Sequence, residues 1–291
     1  PLLEAAMLAA SVPRAFGLAE ELIAGGYFDL GIVAQWKLIQ DRLAERIAED
    51  FDPLALLKEL SQSGEPRVRF HVPGILARLF ADHPERVLEE LRPIAADENS
   101  MVAEATQAFG IRPQAASMGP NVMDTLLEWT KDSSPYVRRA AVESLRPRGV
   151  WVKHLEWSVH APALLMPLIE ALRGDTSRYV ANAVGNALND VSKKKPELVL
   201  EVLARWQEEG EAGPFQQHIT RKALRSLVKD GDPRALAFLG FGELDMKVQA
   251  KLQNEQPVKP NTALVFELEV DNEGATCKAN LVFEIETPGK N

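Results

Sequence analysis

The chain has 291 residues, of which 46% are hydrophobic and 26% charged, and its formal net charge is −9. This composition is typical of a soluble globular protein. No apolar run approaches the roughly 18 residues that a membrane span needs, and the first residues lack the basic region of a signal peptide. The single cysteine, Cys277, excludes an intramolecular disulfide, so we expect a cytoplasmic protein.

The negative charge is unevenly distributed along the chain. Residues 131–229 contain 16 Lys/Arg against 11 Asp/Glu, whereas residues 1–130 contain 11 against 20 and residues 230–291 contain 6 against 11. A basic middle segment between acidic ends is compatible with a nucleic-acid-binding face. Charged solvent faces are also common in helical repeats, so the pattern leaves both interpretations open.

The N-terminal region predicts three amphipathic helices. The first ends at Gly25, and the second covers residues 30–49, where apolar residues recur every three or four positions. The third begins at Asp52, which suits an N-cap because a proline follows it at the first helical position. We expect Trp36, on the second helix, to lie in the core.

From about residue 60 onward, the chain repeats a helical pattern. Five residues of one unit recur 43 positions later: Asp132, Tyr136, Val137, Ala140 and Leu145 become Asp175, Tyr179, Val180, Ala183 and Leu188. Four valines mark successive units: Val68, Val102, Val137 and Val180. A repeat of this length is typical of HEAT-like helical pairs. Because one pair cannot bury its apolar face alone, we predict an all-α HEAT-like solenoid with a concave side.

The pattern changes to that of β-strands near the end of the chain. Residues 253–260 are polar with two prolines, whereas residues 264–270 and 277–285 alternate apolar and polar side chains. Two strands alone are marginal in water, so we expect them to belong to a β-sandwich that is incomplete here. The predicted domains are a helical-repeat domain over 1–242, a linker over 243–261 and a partial β domain over 262–291.

Three segments carry a family resemblance: VRRAAVESLRPRGVW (137–151), LNDVSKKKPELVLEVLARW (188–206) and KALRSLVKDGDPRALAFLGF (222–241). They resemble the bacterial DNA alkylation repair glycosylases of the AlkC/AlkD type, and the AlkC branch more closely. The resemblance implies a helical domain followed by an Ig-like domain. It also implies excision of N-alkylated bases, chiefly 3-methyladenine, from double-stranded DNA without base flipping. We expect a monomer that needs no cofactor and no metal.

The resemblance also assigns roles to individual residues. It makes Trp151 and Asp190 catalytic, because an indole ring suits a cationic base and a carboxylate stabilises a developing sugar cation. Basic positions expected to contact DNA are Arg112, Arg138, Arg139, Arg146, Arg148, Lys193 and Arg225.

The sequence departs from the family pattern at three places. Ala108 stands where the family has an active-site glutamate, Ala181 and Asn182 stand where arginines are expected, and Val150 replaces a proline. Glu104, one helical turn before Ala108, is therefore a third catalytic candidate, since it reaches the same face of the helix.

Structural interpretations of these residues remain open. Asp190 also suits a bridge between repeats, Trp151 also suits packing, and Glu143 is expected to be a salt-bridge partner. We interpret the chain as a DNA glycosylase. The alternatives are a catalytically weak or inactive HEAT-repeat DNA-binding protein and a HEAT-repeat protein-interaction scaffold, the latter favoured by the net charge of −9.

Overall fold

The computed structural model describes residues 2–9, 15–149, 151–242, 246–253 and 263–272. The chain divides into two units, Pro1–Ser226 and Leu227–Asn291. The described residues are mostly helical, as predicted, and a two-stranded antiparallel sheet lies toward the C-terminus. No helix among them combines the length and apolar character that crossing a membrane requires. Val150, Cys277 and the predicted strand over 277–285 lie outside the described residues.

The first part of the chain forms α1 (Leu2–Ala9), α2 (Leu18–Ala24), α3 (Ile32–Ile47), α4 (Pro53–Ser61), α5 (Pro66–Leu79), α6 (Pro84–Ala95), α7 (Ser100–Ala105) and α8 (Arg112–Met118). A π-helical segment, Thr106–Ile111, joins α7 to α8. The predicted start of α4 is confirmed, since the Asp52 carboxylate accepts a hydrogen bond from Ala55 N at 3.0 Å. Gly25 ends α2, as predicted.

The helices continue with α9 (Val122–Trp129), α10 (Pro135–Glu143), α11 (Glu156–His160), α12 (Met166–Leu172), α13 (Arg178–Ser192), α14 (Pro196–Glu209), α15 (Gln216–Ala223), α16 (Arg225–Lys229) and α17 (Pro233–Phe238). Short 3₁₀ turns occur at Tyr27–Asp29, Gly119–Asn121 and Pro162–Leu165. The sequence predicts one basic helix over 219–228. The structure corrects this to two helices, which separate at Leu224.

A repeated aspartate organises the helical pairs. Asp97, Asp132 and Asp175 each precede the first helix of a repeat, and each carboxylate accepts from the backbone N–H two residues further on, at 2.7 to 2.9 Å. Asp97 and Asp175 also pair with arginines of the preceding repeat, Arg69 and Arg138. The first helices of successive repeats contact one another, as in α10 with α13 and α13 with α15. The four marker valines are buried, as the repeat pattern predicts.

The C-terminal sheet consists of β1 (Met246–Leu252) and β2 (Phe266–Asn272), paired antiparallel with Val248 opposite Val270. The prediction of a strand around 264–270 is confirmed. The predicted linker over 243–261 is too long, because β1 lies inside it. The apolar residues of β1 alternate with two lysines and a glutamine on the other face. These polar residues make the segment resemble a linker in the sequence.

Candidate active site

The buried guanidinium of Arg112 holds the loop residues 144–149 and 151–153 in place. That group donates hydrogen bonds of 2.7 to 3.1 Å to the carbonyl oxygens of Ser144, Arg146, Pro147 and Lys153. Arg112 is only 5% exposed, and burial lowers its pKa to about 10. The predicted DNA contact of Arg112 is therefore corrected to a structural role, since its donors shape the loop that presents Arg148 and Trp151.

Gly149 lets this loop pack closely against Arg112. A Cβ atom added at Gly149 would lie 2.8 Å from the carbonyl oxygen of Val152 and 3.2 Å from Arg112 Nε. Real Cβ atoms do not approach a backbone oxygen so closely, so any side chain there would push the loop away from the guanidinium. The loop conformation thus depends on a glycine and a buried arginine together.

A cavity of about 140 Å³ opens beside this loop. Two carboxylates line it, Glu104 from α7 and Glu143 from α10, together with Trp151 from the loop. Arg139 and Arg148 line the same cavity. The structure therefore brings together two predicted catalytic residues, three predicted DNA-binding residues (Arg112 among them) and Glu143, which the sequence suggests only as a salt-bridge partner.

The π-helical segment Thr106–Ile111 forms one wall of the cavity through Gln107 and Ala108. π-helical turns are rare and occur frequently at functional sites, because the extra residue per turn re-aims the side chains. Ala108 is 8% exposed and packs in an apolar cluster with Phe70 and Phe109. The absence of a carboxylate at this position leaves the acidic character of the cavity to Glu104 and Glu143.

Trp151 is positioned from two sides. Its indole Nε1 donates to Glu104 Oε2 at 3.1 Å, and its ring meets the edge of Trp36, with centroids 5.6 Å apart. Trp36 in turn packs against Phe70 and Phe109. Trp151 remains 38% exposed. Trp36 therefore supports the exposed indole. It is partly buried and packs against the core rather than lying inside it as predicted.

Asp190 belongs to a buried charge network behind the cavity. Its Oδ2 accepts from Arg146 Nε at 2.9 Å, and its Oδ1 accepts from Lys193 Nζ at 3.0 Å. Arg146 also pairs with Glu143. Burial alone lowers the pKa of the Arg146 guanidinium, but the charges of Glu143 and Asp190 outweigh burial and raise it above its ordinary value. The side chain of Asp190 is only 3% exposed, and Arg146 connects it to Glu143.

Glu143 is the site residue that sequence reasoning missed. Its Oε1 pairs with Arg146, whereas its Oε2 lies 3.5 Å from Arg139 Nη2. Within the described part of the chain no donor makes a hydrogen bond to Oε2. A buried carboxylate oxygen that receives no hydrogen bond destabilises the folded state. A catalytic role is one explanation for such an atom in a native structure. The Arg139 guanidinium lies over the Tyr179 ring, 4.1 Å from its centroid.

The remaining predicted basic residues have different surroundings. Arg138 pairs with Asp175, which assigns it to the contact between α10 and α13 rather than to the predicted DNA contact. Arg148 and Arg225 are exposed, and neither has an ion pair in the described structure. Lys222 is an addition to the predicted set. Burial lowers its pKa, and so do the nearby positive charges, with Arg225 the largest of them.

The site therefore combines acidic groups inside a cavity with cations around it. Carboxylates in a partly enclosed site stabilise a developing positive charge, and the surrounding guanidinium and ammonium groups suit a phosphate backbone. Among the residues that the structure describes, no three His, Cys, Asp or Glu side chains converge as a metal site requires.

A sequence comparison decides the family. The model of the family described as DNA alkylation repair enzyme matches residues 40–227. The chain belongs to this family. The matched region contains every residue of the cavity and of the charge network around Asp190. A family relative, the uncharacterized protein YhaZ of Bacillus subtilis, is 32% identical over 176 residues, which is 60% of this chain and 48% of the relative. The chain thus spans about half the length of that curated relative.

Solved structures of similar fold include a DNA glycosylase. The alkylpurine DNA glycosylase AlkC of Pseudomonas fluorescens, bound to DNA containing an abasic site analog, superposes with a TM-score of 0.72 and 26% identity. The superposition covers 84% of this chain and 67% of AlkC. AlkD2 of Streptococcus mutans matches with a TM-score of 0.54 and 25% identity over 71% of this chain and 97% of AlkD2. The helical repeats of this family member thus have an AlkC-like fold.

Proposed function

We propose that the chain binds double-stranded DNA and hydrolyses the N-glycosidic bond of a cationic alkylated base such as 3-methyladenine. The observation that carries the proposal is the placement of Glu104, Glu143 and Trp151 in one cavity, with Arg139 and Arg148 beside it. Membership of the DNA alkylation repair family supports it, and so does the similarity to a DNA-bound alkylpurine glycosylase.

The reaction moves a positive charge from the base to the sugar. When the bond between C1′ and the base nitrogen breaks, its electron pair neutralises the cationic base and leaves an oxocarbenium-like sugar. Water then forms a bond to C1′ and passes a proton to Glu143 Oε2, which releases it to the solvent. Glu143 stabilises the sugar cation electrostatically, and its Oε2 accepts a hydrogen bond from the attacking water.

Trp151 and Glu104 hold the cationic base. An indole ring attracts a cation by roughly 0.5–2 kcal/mol, depending on how far water is excluded. The hydrogen bond from Trp151 Nε1 to Glu104 fixes the orientation of the ring before DNA arrives. Glu104 therefore acts through its charge and through the indole that it positions.

Asp190 acts on the sugar indirectly, through Arg146 and Glu143. Its carboxylate holds Arg146, which holds Glu143, so Asp190 adds negative charge to the site and fixes the position of Glu143. The exposed Arg148 and Arg225 contact DNA phosphates, and Lys193, whose side chain is 35% exposed, lies among them. Each phosphate neutralised in this way makes binding more sensitive to salt.

We propose that excision occurs without base flipping, as the family resemblance implies. Enzymes that flip a base bury it in a fitted pocket. Here the cavity lined by Glu143 and Trp151, of about 140 Å³, takes the sugar edge and a water, and the base stays in the duplex while its glycosidic bond breaks.

We infer further that the stacked repeats form a solenoid and that the two strands begin an Ig-like domain. The contacts between the first helices of successive repeats support the solenoid. The antiparallel pairing of β1 with β2 supports the second inference, and so does the exposure of Val248, at 48%, since a two-stranded sheet in water needs further cover. We expect the protein to act as a cytoplasmic monomer.

Incubation with methylated genomic DNA tests this function. Chromatography of the released bases should show 3-methyladenine above the level of a control without protein. DNA binding without any released base would contradict the glycosylase activity and leave a DNA-binding protein.

Ala108 favours that second candidate, a DNA-binding family member with weak or no activity. The family resemblance places a glutamate at this position, and the structure places Ala108 in the cavity wall. Ala108→Glu should increase the rate of base release if the missing carboxylate limits it. An unchanged rate in a folded Ala108→Glu protein would show that the wall position is not limiting.

A further inference from the structure

A second concavity, of about 410 Å³, lies on the other side of the Arg112-held loop. Every charged side chain that lines it is basic, namely Lys37, Arg78, Arg112 and Lys153, and the imidazole of His154 lines it as well. This concentration of one charge occurs in a chain with a net charge of −9. The floor is apolar and includes Phe109 and Pro113. We call this concavity the cationic pocket.

Two of its five basic groups are already neutralised or occupied. Arg78 pairs with Asp41, and Arg112 donates to four carbonyl oxygens. Lys37, Lys153 and His154 have neither an ion pair nor a side-chain hydrogen bond to any residue that the structure describes. Lys37 is also half-buried. Cations gathered in a partly enclosed site repel one another, and an anion bound there relieves this repulsion.

The cationic pocket shares Ala108, Arg112 and Val152 with the cavity of Glu143 and Trp151. The two sites are therefore neighbours with opposite preferences. The carboxylate-lined cavity attracts a cationic base, whereas the cationic pocket repels one and attracts a phosphate.

We propose that the cationic pocket binds the DNA phosphate that flanks the lesion nucleotide, with Lys37 and Lys153 as its main ligands. This inference rests on the proposed function, because it places the lesion at the neighbouring cavity. The phosphate contacts the ammonium groups and the imidazole of His154, and the attached deoxyribose packs on Phe109 and Pro113. The contact holds C1′ of the lesion nucleotide beside the carboxylates of Glu104 and Glu143. Positioning by a group that does not itself react accelerates a reaction in this way.

The test combines protein and DNA changes in a double-mutant cycle. Duplexes containing an abasic-site analogue carry a single uncharged methylphosphonate at successive positions of either strand. Their affinities are measured for the parent and for Lys37→Gln/Lys153→Gln. The control is Lys58→Gln/Lys131→Gln, which removes the same charge from exposed lysines that pair with Glu90 and Glu128.

We expect the parent to bind more weakly when a phosphate next to the analogue is neutralised. The Lys37→Gln/Lys153→Gln protein should show no further weakening at that position, because its ammonium groups are already absent. Its log–log salt slope should fall by about 0.9 for each phosphate that the protein no longer neutralises. The control pair should keep the parental profile. Effects that add at every position would overturn the proposal.

Two further measurements separate the possible reasons for failure. Inorganic phosphate is titrated into both proteins at constant ionic strength. Phosphate binding that depends on Lys37 and Lys153, together with additive methylphosphonate effects, would make this a site for a free phosphate and overturn the DNA contact. Base release by the parent protein is measured in parallel. If the parent releases base and the methylphosphonate effects are additive, the phosphate contact in the cationic pocket is refuted and the proposed function stands. A parent that neither binds DNA nor releases base refutes the proposed function as well.

Discussion

Glu143→Gln gives the sharpest test of the chemistry, because the substitution is nearly isosteric and removes one negative charge from the cavity. The stability cost can be bounded from the interactions of its neighbours. Removing one partner of a buried ion pair typically costs about 3–5 kcal/mol. Here Arg146 keeps Asp190 at 2.9 Å and is not left unpaired. We therefore expect a loss of only about 1–2 kcal/mol in the free energy of unfolding.

The expected effect on the reaction is larger than the effect on stability. A preorganised group that faces a developing charge is worth about 2.7–4 kcal/mol, or a factor of about 10²–10³ in rate. The charge at the sugar appears only as the glycosidic bond breaks, so Glu143 contributes to the transition state more than to binding. Loss of an acidic side chain beside the guanidinium of Arg139 should leave DNA affinity unchanged or slightly higher.

Single-turnover kinetics measure this effect. Protein in excess over a duplex with one cationic alkylpurine is sampled over time, well below the melting temperature, and the free base is quantified by chromatography. Glu128→Gln is the matched control, since Glu128 is exposed and pairs with Lys131 at the surface. A Glu143→Gln rate within about threefold of the parent would refute the role of Glu143, since a preorganised charge is worth far more than that.

Three further predictions concern residues around the cavity. Asp190→Asn should lower the free energy of unfolding by about 2–3 kcal/mol and slow base release, because both Arg146 and Lys193 lose a carboxylate partner; wild-type values in thermal melts and kinetics would contradict this. Arg112→Gln should cost about 3 kcal/mol or more, since buried carbonyl oxygens lose their donors, which denaturant melts will measure. Burial lowers the pKa of His71 to about 3. Because the unfolded chain binds this proton near pH 6.5, stability should fall as pH drops from 6.5 towards 3, by up to about 1.4 kcal/mol per unit, and His71→Gln should flatten that slope in pH-dependent melts.

Much of the fold could be predicted from the sequence because its signals are local. Asp132 and Asp175 recur with valines at fixed spacing, and each forms the same hydrogen bond at a helix start. Asp52 caps α4 for the same local reason. The π-helical segment over 106–111 gave no such signal, because nothing in TQAFGI requires a bond to the fifth residue rather than the fourth.

The site was less predictable because it depends on which side chains become buried. The spacing of Arg139, Glu143 and Arg146 predicts salt bridges on one helix, and these exist. Only the packing of α10 beside the π-helical segment and the loop makes Glu143 a wall of a cavity. Arg112 is the opposite case. Its basic side chain suggests a DNA contact in the sequence, but in the structure it is buried and bonded to four carbonyl oxygens. A sequence gives the charge of a residue, whereas its partners come from tertiary packing.

The location of the sugar is the central claim, and one measurement tests it most directly. A crystal structure of the full chain bound to duplex DNA with an abasic-site analogue would show where C1′ lies. We predict that C1′ lies within one bridging water of the Glu143 carboxylate, no more than about 6 Å away, with Trp151 against the neighbouring base position. An analogue bound on another face, with Glu143 still screened behind Arg139 and Arg146, would contradict the account.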